Sequence, residues 1–182
     1  LISADGGEML YEGNAYELLP NDIKLRMGTV LDSGSIIEEL TALDFLKLSA
    51  SIYKVPKKEA EARIKDLTEL FFEDPKDLNK ALSGFSTGMK KKISLSASIL
   101  HLPDLLILDE PFSGLDPIAA NQVIELITMY SNENRSVLLS SHDLSYVERV
   151  GTHIAVLSEG SIVFHDPVSS FTQGGKEQLD NP

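Results

Sequence analysis

Cysteine is missing from all 182 residues. That excludes disulfides and any cysteine-built zinc site, and it fits a reducing compartment. Basic residues are scarce: 16 Lys and Arg stand against 28 Asp and Glu, giving a net charge of −12 and a pI near 4.7. Such a balance disfavours a nucleic-acid partner, which calls for a basic surface. Lys90-Lys91-Lys92 is a local exception, and a run of this kind reads as a solvated helix face. No apolar run approaches the roughly 18–20 residues that cross a bilayer, and no signal peptide opens the chain. A membrane role is therefore expected to need a separate partner chain. Internal repeats and low-complexity segments are also absent. What is present is ordinary for a globular protein: 42% hydrophobic and 24% charged residues. The length fits one domain or one compact two-lobed unit with a buried core.

Along the chain, residues 8–12 read as a short strand and residues 25–31 as a second, broken by Asp32-Ser33-Gly34-Ser35. Thr41-Ala42-Leu43-Asp44 has the form of a capping box, with a helix to about Tyr53. Pro56 starts another helix, whose Ile64, Leu67, Leu70 and Phe71 fall at helical spacing. From Ser86 to Leu102 the alternation of Ile93, Leu95, Ala97 and Ile99 with other residues suggests a strand locally. Met89, Ile93, Ala97 and Leu100 equally share one helical face, and length favours the helix, with Ser86 as its N-cap. Leu105–Leu108 is a continuous apolar run, as expected of a strand covered on both faces. Asp116-Pro117 is an N-cap and N1 pair opening a helix. Residues 137–139 form a further strand and 144–150 a short helix. Residues 154–157 and 162–164 flank a hairpin turn at Ser158-Glu159-Gly160-Ser161. The polar tail after Asp166 is expected to be weakly ordered. Strands alternating with helices predict an α/β fold with a parallel sheet.

Four pieces carry chemistry. Ser86-Thr87-Gly88 opens a helix with a hydroxyl and freed backbone N–H groups, an arrangement suited to an anion. Asp109-Glu110 ends an apolar strand. Ser113-Gly114-Leu115-Asp116 follows as a short loop, and Ser140-Ser141-His142 ends a second strand. An Asp-Glu pair alone is usually a solvated strand end, and a lone His after a strand is usually incidental. In this order and spacing, however, the pieces resemble the signature motif, Walker B, D-loop and H-switch of the ATP-binding-cassette (ABC) transporter nucleotide-binding domain, over nearly the whole chain. The form Ser-x-Gly-Met-Lys resembles the ATPase subunits of bacterial ABC-2-type exporters. Phe85, Thr87 and Met89 depart from the usual Leu-Ser-Gly-Gly-Gln.

The resemblance implies a RecA-like P-loop NTPase core, with an incomplete parallel sheet, over residues 1–35 and 101–165. It implies an inserted α-helical subdomain over 36–100 and a tail over 166–182. Its ligands would be ATP and Mg²⁺. Asp109 would be the metal residue, Glu110 the catalytic base and His142 the γ-phosphate sensor. Ser86, Thr87 and Gly88 would reach ATP held by a second, identical domain, and Asp116 would couple the two sites. Asp32 stands where the family's Q-loop glutamine belongs. It offers a further Mg²⁺ ligand, would repel an unshielded γ-phosphate, and has a plain Asp-Ser-Gly turn as its bland alternative. Partners would be a transmembrane permease, met by residues 36–46, and a second nucleotide-binding domain. The expected location is cytoplasmic, on the inner face of the membrane. No G-x-x-x-x-G-K-[ST] loop occurs in the sequence, and the first residue is Leu1 rather than Met. On the family's pattern roughly 40 amino-terminal residues are expected to be lacking. The chain alone is then expected to be poorly stable and not to bind ATP. Two alternatives stand beside this reading: a soluble ABC-family ATPase acting on the ribosome or nucleic acid, and a non-hydrolysing regulatory chain.

Overall fold

A computed structural model of the chain describes residues 6–31, 36–131 and 135–171. Three sheets occur among the described residues. The first is a hairpin of β1 (Met9–Tyr11) and β2 (Asn14–Tyr16). Glu12 and Gly13 both have positive φ, the geometry of a tight two-residue turn. Arg26 fastens this hairpin to the rest, pairing with Glu12 (2.7 Å) and Asp104 (2.5 Å).

A short helix, α1 (Asn21–Lys24), leads into β3 (Met27–Val30), so the second predicted strand is shorter than its apolar run. Strand β3 joins β4 (Leu105–Leu108) and β5 (Ser136–Leu139) in a parallel sheet of order β3-β4-β5. Between β3 and β4 lies the helical block. It contains α2 (Ala42–Ile52), α3 (Lys57–Phe71), 3-10 turns at Pro75–Asn79 and Leu82–Gly84, and α4 (Thr87–Ile99). Thr41 caps α2 as its box predicts: the Asp44 N–H donates to Thr41 Oγ1 (3.1 Å). In α4 both sequence patterns have a cause. The helix is buried almost all round, with Ile93, Leu95, Ser96, Ala97, Ser98 and Ile99 inside, so no polar stripe marks its period. It crosses the sheet tightly at Gly28, where a Cβ would lie 2.3 Å from the Ser98 carbonyl oxygen; only glycine fits there.

After β4 come α5 (Pro117–Ser131) and α6 (Leu144–Val150), the latter on the other side of β5 in sequence. A hairpin of β6 (His153–Ser158) and β7 (Ser161–Pro167) ends the regular structure. The main core runs from the helical block through Leu106 and Leu108 to Val123 and Ile127 of α5. In the parallel register Gly28, Leu106 and Val137 share one face, as do Val30, Leu108 and Leu139. That face is covered. The opposite face is not: Leu105 and Ile107 are half-buried, Thr29 is exposed, and Leu138 is 61% exposed. The expectation that Leu105–Leu108 is covered on both faces is thus corrected. Both helices of the main cluster that flank β4, α4 and α5, lie against one side of it. The expectation of a loose tail is corrected at its start. Val168 and Phe171 (1% exposed) pack with Val147 and Ile154 in a second apolar cluster. Residues 172–182 lie outside the described residues.

Candidate functional site

Parallel pairing decides where the chemistry falls. Leu108 lies opposite Leu139, so Asp109-Glu110 and Ser140-Ser141-His142 leave the same edge of the sheet side by side. The ladder runs one step further. Asp109 N–H donates to the Val30 carbonyl (2.8 Å), and Ser140 N–H donates to the Leu108 carbonyl (2.9 Å). Glu110 then takes φ +47, a left-handed conformation disfavoured for a residue with a Cβ by about 1–2 kcal/mol. The turn carries its carboxylate to His142, with Oε2 3.0 Å from Nδ1. Hydrogen bonding to Glu110, then its negative charge, raises the His142 pKa above the ordinary imidazole value. Asp143 fixes the base of this histidine by capping α6. It accepts from the Ser145 N–H (2.9 Å) and hydroxyl (2.6 Å), and these bonds hold its own pKa down.

Ser140 is a member of the site that the sequence reading did not single out. Its hydroxyl donates to Asp109 Oδ1 (2.7 Å) and accepts from Glu110 N–H (3.0 Å), linking both carboxylate residues. The available signal was a hydroxyl directly after a strand whose neighbour ends in Asp-Glu.

A second cluster adjoins the first. Ser86 caps α4, accepting from Met89 N–H (3.3 Å). The start of α4 packs on the 110–116 turn. A Cβ at Gly88 would lie 3.5 Å from Leu115 Cδ2, and one at Gly114 would lie 3.7 Å from Thr87 Cγ2. Asp116 caps α5, its Oδ1 accepting from Ala119 N–H (2.8 Å). So Asp109, Glu110 and His142 form one group, and Ser86, Thr87 and Gly88 lie against the turn that ends in Asp116. Asp32 lies outside the described residues.

The lysine run is a correction. Lysines near a helix N-terminus oppose the macrodipole, and here each has a partner. Lys90 pairs with Glu38 (2.6 Å), and Lys92 donates to the Phe71 carbonyl (3.2 Å). Lys91 is buried, at 8% exposure, and donates to the carbonyls of Glu110 and Ser113. These side chains fasten α4 and do not form a free solvated face. The reason is tertiary: the block folds over the start of α4.

A parallel sheet with carboxylates and a histidine at its carboxyl edge, beside a helix N-terminus, fits a domain of the P-loop NTPase fold. Comparison with known proteins agrees. The family model described as "AAA domain, putative AbiEii toxin, Type IV TA system" matches residues 18–148. The bacitracin transport ATP-binding protein of Bacillus licheniformis is 30% identical over 181 residues, covering 99% of this chain and 58% of that protein. A lantibiotic transport ATP-binding protein of Streptococcus pyogenes is 30% identical over 163 residues, covering 90% of this chain and 68% of its own length. Among solved structures, the ATP-binding subunit of an ABC transporter superposes with a TM-score of 0.76 at 28% identity, over 87% of this chain and 65% of that one. The chain belongs to the family of ABC transporter ATP-binding proteins. It spans little more than half the length of the bacitracin protein.

Proposed function

We propose that this chain is the catalytic-edge portion of an ATP-hydrolysing subunit that drives a transmembrane permease. The observation that carries the reading is the Glu110–His142 pair at 3.0 Å beside the Asp109–Ser140 pair at 2.7 Å. A carboxylate held by an imidazole at a strand end is placed to take a proton from water. Residues 1–35 and 101–165 would form the core, 36–100 the signature subdomain, and 166–182 a tail.

The residues fit ATP and Mg²⁺ in part. Asp109, already hydrogen-bonded to a hydroxyl, suits Mg²⁺, which takes one or two carboxylates and completes its shell with water and phosphate. Asp32 would be a further ligand. At Gly88 an added Cβ would make only ordinary contacts, with Leu115 and Gly114, so the chain itself leaves room for a ligand there. The Gly-rich loop and lysine that cradle β- and γ-phosphates do not occur in this sequence. The chain alone is therefore expected not to bind ATP.

When bound, ATP with Mg²⁺ would supply a γ-phosphoryl group whose charge the metal offsets. Glu110 would accept the proton of the attacking water at a carboxylate oxygen. His142 would hold that carboxylate through Nδ1 and leave Nε2 facing outward to a phosphate oxygen. Ser86, Thr87 and Gly88 would present N–H groups and a hydroxyl to the site of a second, identical subunit, and Asp116 would link the two sites. The relatives' names, bacitracin and lantibiotic transport, favour a transporter subunit, and the Ser-x-Gly-Met-Lys form is the ground for reading it as an exporter. The place of action would be the inner membrane face, through the permease. The net charge of −12 argues against the nucleic-acid alternative.

The test is Mg²⁺-dependent ATP hydrolysis by the protein that carries this chain, reconstituted with its permease. Turnover that disappears in Glu110→Gln supports the reading. Full turnover in that variant, or none in the parent, sinks it.

A further inference from the structure

Lys91 lies in the second turn of α4 yet is almost completely buried, an environment that disfavours an ammonium group unless it is hydrogen-bonded. Its Nζ donates to the Glu110 carbonyl (2.7 Å) and to the Ser113 carbonyl (3.0 Å). These two carbonyls bracket the turn that follows β4. Within it Ser113 N–H donates back to the Glu110 carbonyl (3.2 Å), and Leu115 N–H donates to the Phe112 carbonyl (3.2 Å). On its far side the turn is held by Phe112, which is buried and stacked on Tyr146 of α6 at 4.6 Å. The left-handed Glu110 sits at the head of this turn. Strained backbone of that kind persists only where its surroundings over-determine it.

From these contacts we propose that Lys91 is a positioning residue. Its ammonium ties the Glu110–Ser113 turn to the first turns of α4, so that the aim of the Glu110 carboxylate and the placement of Ser86–Gly88 are set together. Gly88 faces Leu115 and Gly114 faces Thr87 on the same seam, close enough that a Cβ on either glycine would touch its neighbour. Movement at one motif is therefore passed to the other by a rigid link inside one chain. Lysine suits this role because its three donors rotate to meet carbonyls in different directions. Its consequence for hydrolysis rests on the ATPase reading above; the link itself does not.

Two measurements on the protein that carries this chain test the proposal, using Lys91→Met, which keeps the apolar stem, and Lys91→Arg, which keeps charge and donors. Amide hydrogen exchange without nucleotide reads the link directly. In Lys91→Met the Ser113 and Leu115 amides and the Met89 and Lys90 amides should exchange faster together, by about tenfold or more, while those of α2 stay unchanged. Steady-state hydrolysis should show kcat reduced about tenfold or more with the KM for ATP within about twofold, as expected when reacting groups are misplaced without loss of binding. Lys91→Arg should return both readouts to within about threefold of the parent. Parent-like exchange at Ser113 and Leu115 in Lys91→Met, or an arginine variant as impaired as the methionine one, would overturn the proposal. If Lys91→Met unfolds, the arginine variant decides alone: exchange and kcat within that threefold range support the link, and a greater loss in a folded protein rejects it. If the parent hydrolyses no ATP, the ATPase reading fails while exchange still decides whether Lys91 holds the turn.

Discussion

The helical block between β3 and β4 and the sheet it interrupts are built from similar apolar residues, but they are closed to different degrees. In the block Leu82 and Ile93 are wholly buried, helix ends are capped by Thr41 and Ser86, and the lysines of α4 are tied to neighbouring groups. In the sheet one face shares that core, while the other leaves Thr29 and Leu138 exposed. The groups suited to catalysis stand at the sheet's edge, on a left-handed glutamate and an exposed histidine. Stability and chemistry are thus separated in space. The buried block backs the edge, and the edge carries the strain and exposed polarity that the proposed site needs.

The sharpest way to break this contrast is to change the edge without touching the block. Glu110→Gln keeps size and shape but removes the carboxylate proposed as the proton acceptor. Hydrolysis by the protein carrying this chain should fall by about 10²–10⁴-fold, with a melting temperature within about 2 °C of the parent. A variant that melts much earlier would mean that Glu110 holds the fold, and the separation would be lost.

Paired core truncations come next. Ile93→Ala should cost about 2–5 kcal/mol, since a fully buried side chain leaves a cavity. Leu138→Ala, on the open face, should lie within about 0.5 kcal/mol of the parent. Urea unfolding of both, in the protein that carries this chain, measures the difference. Equal losses would show that the face bearing Leu138 is covered in that protein.

How much was legible follows the same division. The caps at Thr41, Ser86 and Asp116 and the helix at 144–150 could be read because their signals are local: a hydroxyl or carboxylate at a helix start, followed by periodic apolar residues. The four motifs were legible because order and spacing carry them. The burial of Lys91 was not, because three adjacent lysines look solvated until a fold places carbonyls over one of them. Nor was the asymmetry of β4, since Leu105–Leu108 reads the same whether one face or both are covered. The turn at Glu159-Gly160 was seen, while the equivalent Glu12-Gly13 turn went unread, because the short strands beside it lack the alternating pattern that marks a hairpin. Ser140 shows the limit most plainly. Its role depends on which strand lies beside its own, and pairing is a property of the sheet rather than of the segment.

A smaller effect separates two caps of the same type. Thr41→Ala and Ser86→Ala each remove a side-chain acceptor at a helix start and should each cost about 1 kcal/mol. If Ser86 also meets ATP, as proposed, only its variant should lose hydrolysis beyond what reduced stability explains. Thermal melts and turnover measured on both variants make the comparison. Equal turnover in the two would leave Ser86 a cap and nothing more.

The smallest expected effect is the titration of His142. Its folded pKa is raised, first by the hydrogen bond to Glu110 and then by that residue's charge. The stabilisation from this pair is therefore fully present below the unfolded imidazole value of about 6.5. It is lost as pH rises through the higher folded value, where the imidazole gives up its proton. NMR titration of the imidazole should give a value above the ordinary one in the parent and a fall toward it in Glu110→Gln. The parent should exceed that variant in urea resistance most clearly on the acid side of neutrality, and the gap should narrow as pH rises. Asp143 contributes only a weaker attraction to the same proton, so the glutamate substitution should account for most of the shift. If His142 titrates identically in both proteins, the 3.0 Å pair is not formed in solution, and the placement of Glu110 would rest on its backbone bonds to Ser140, Lys91 and Ser113.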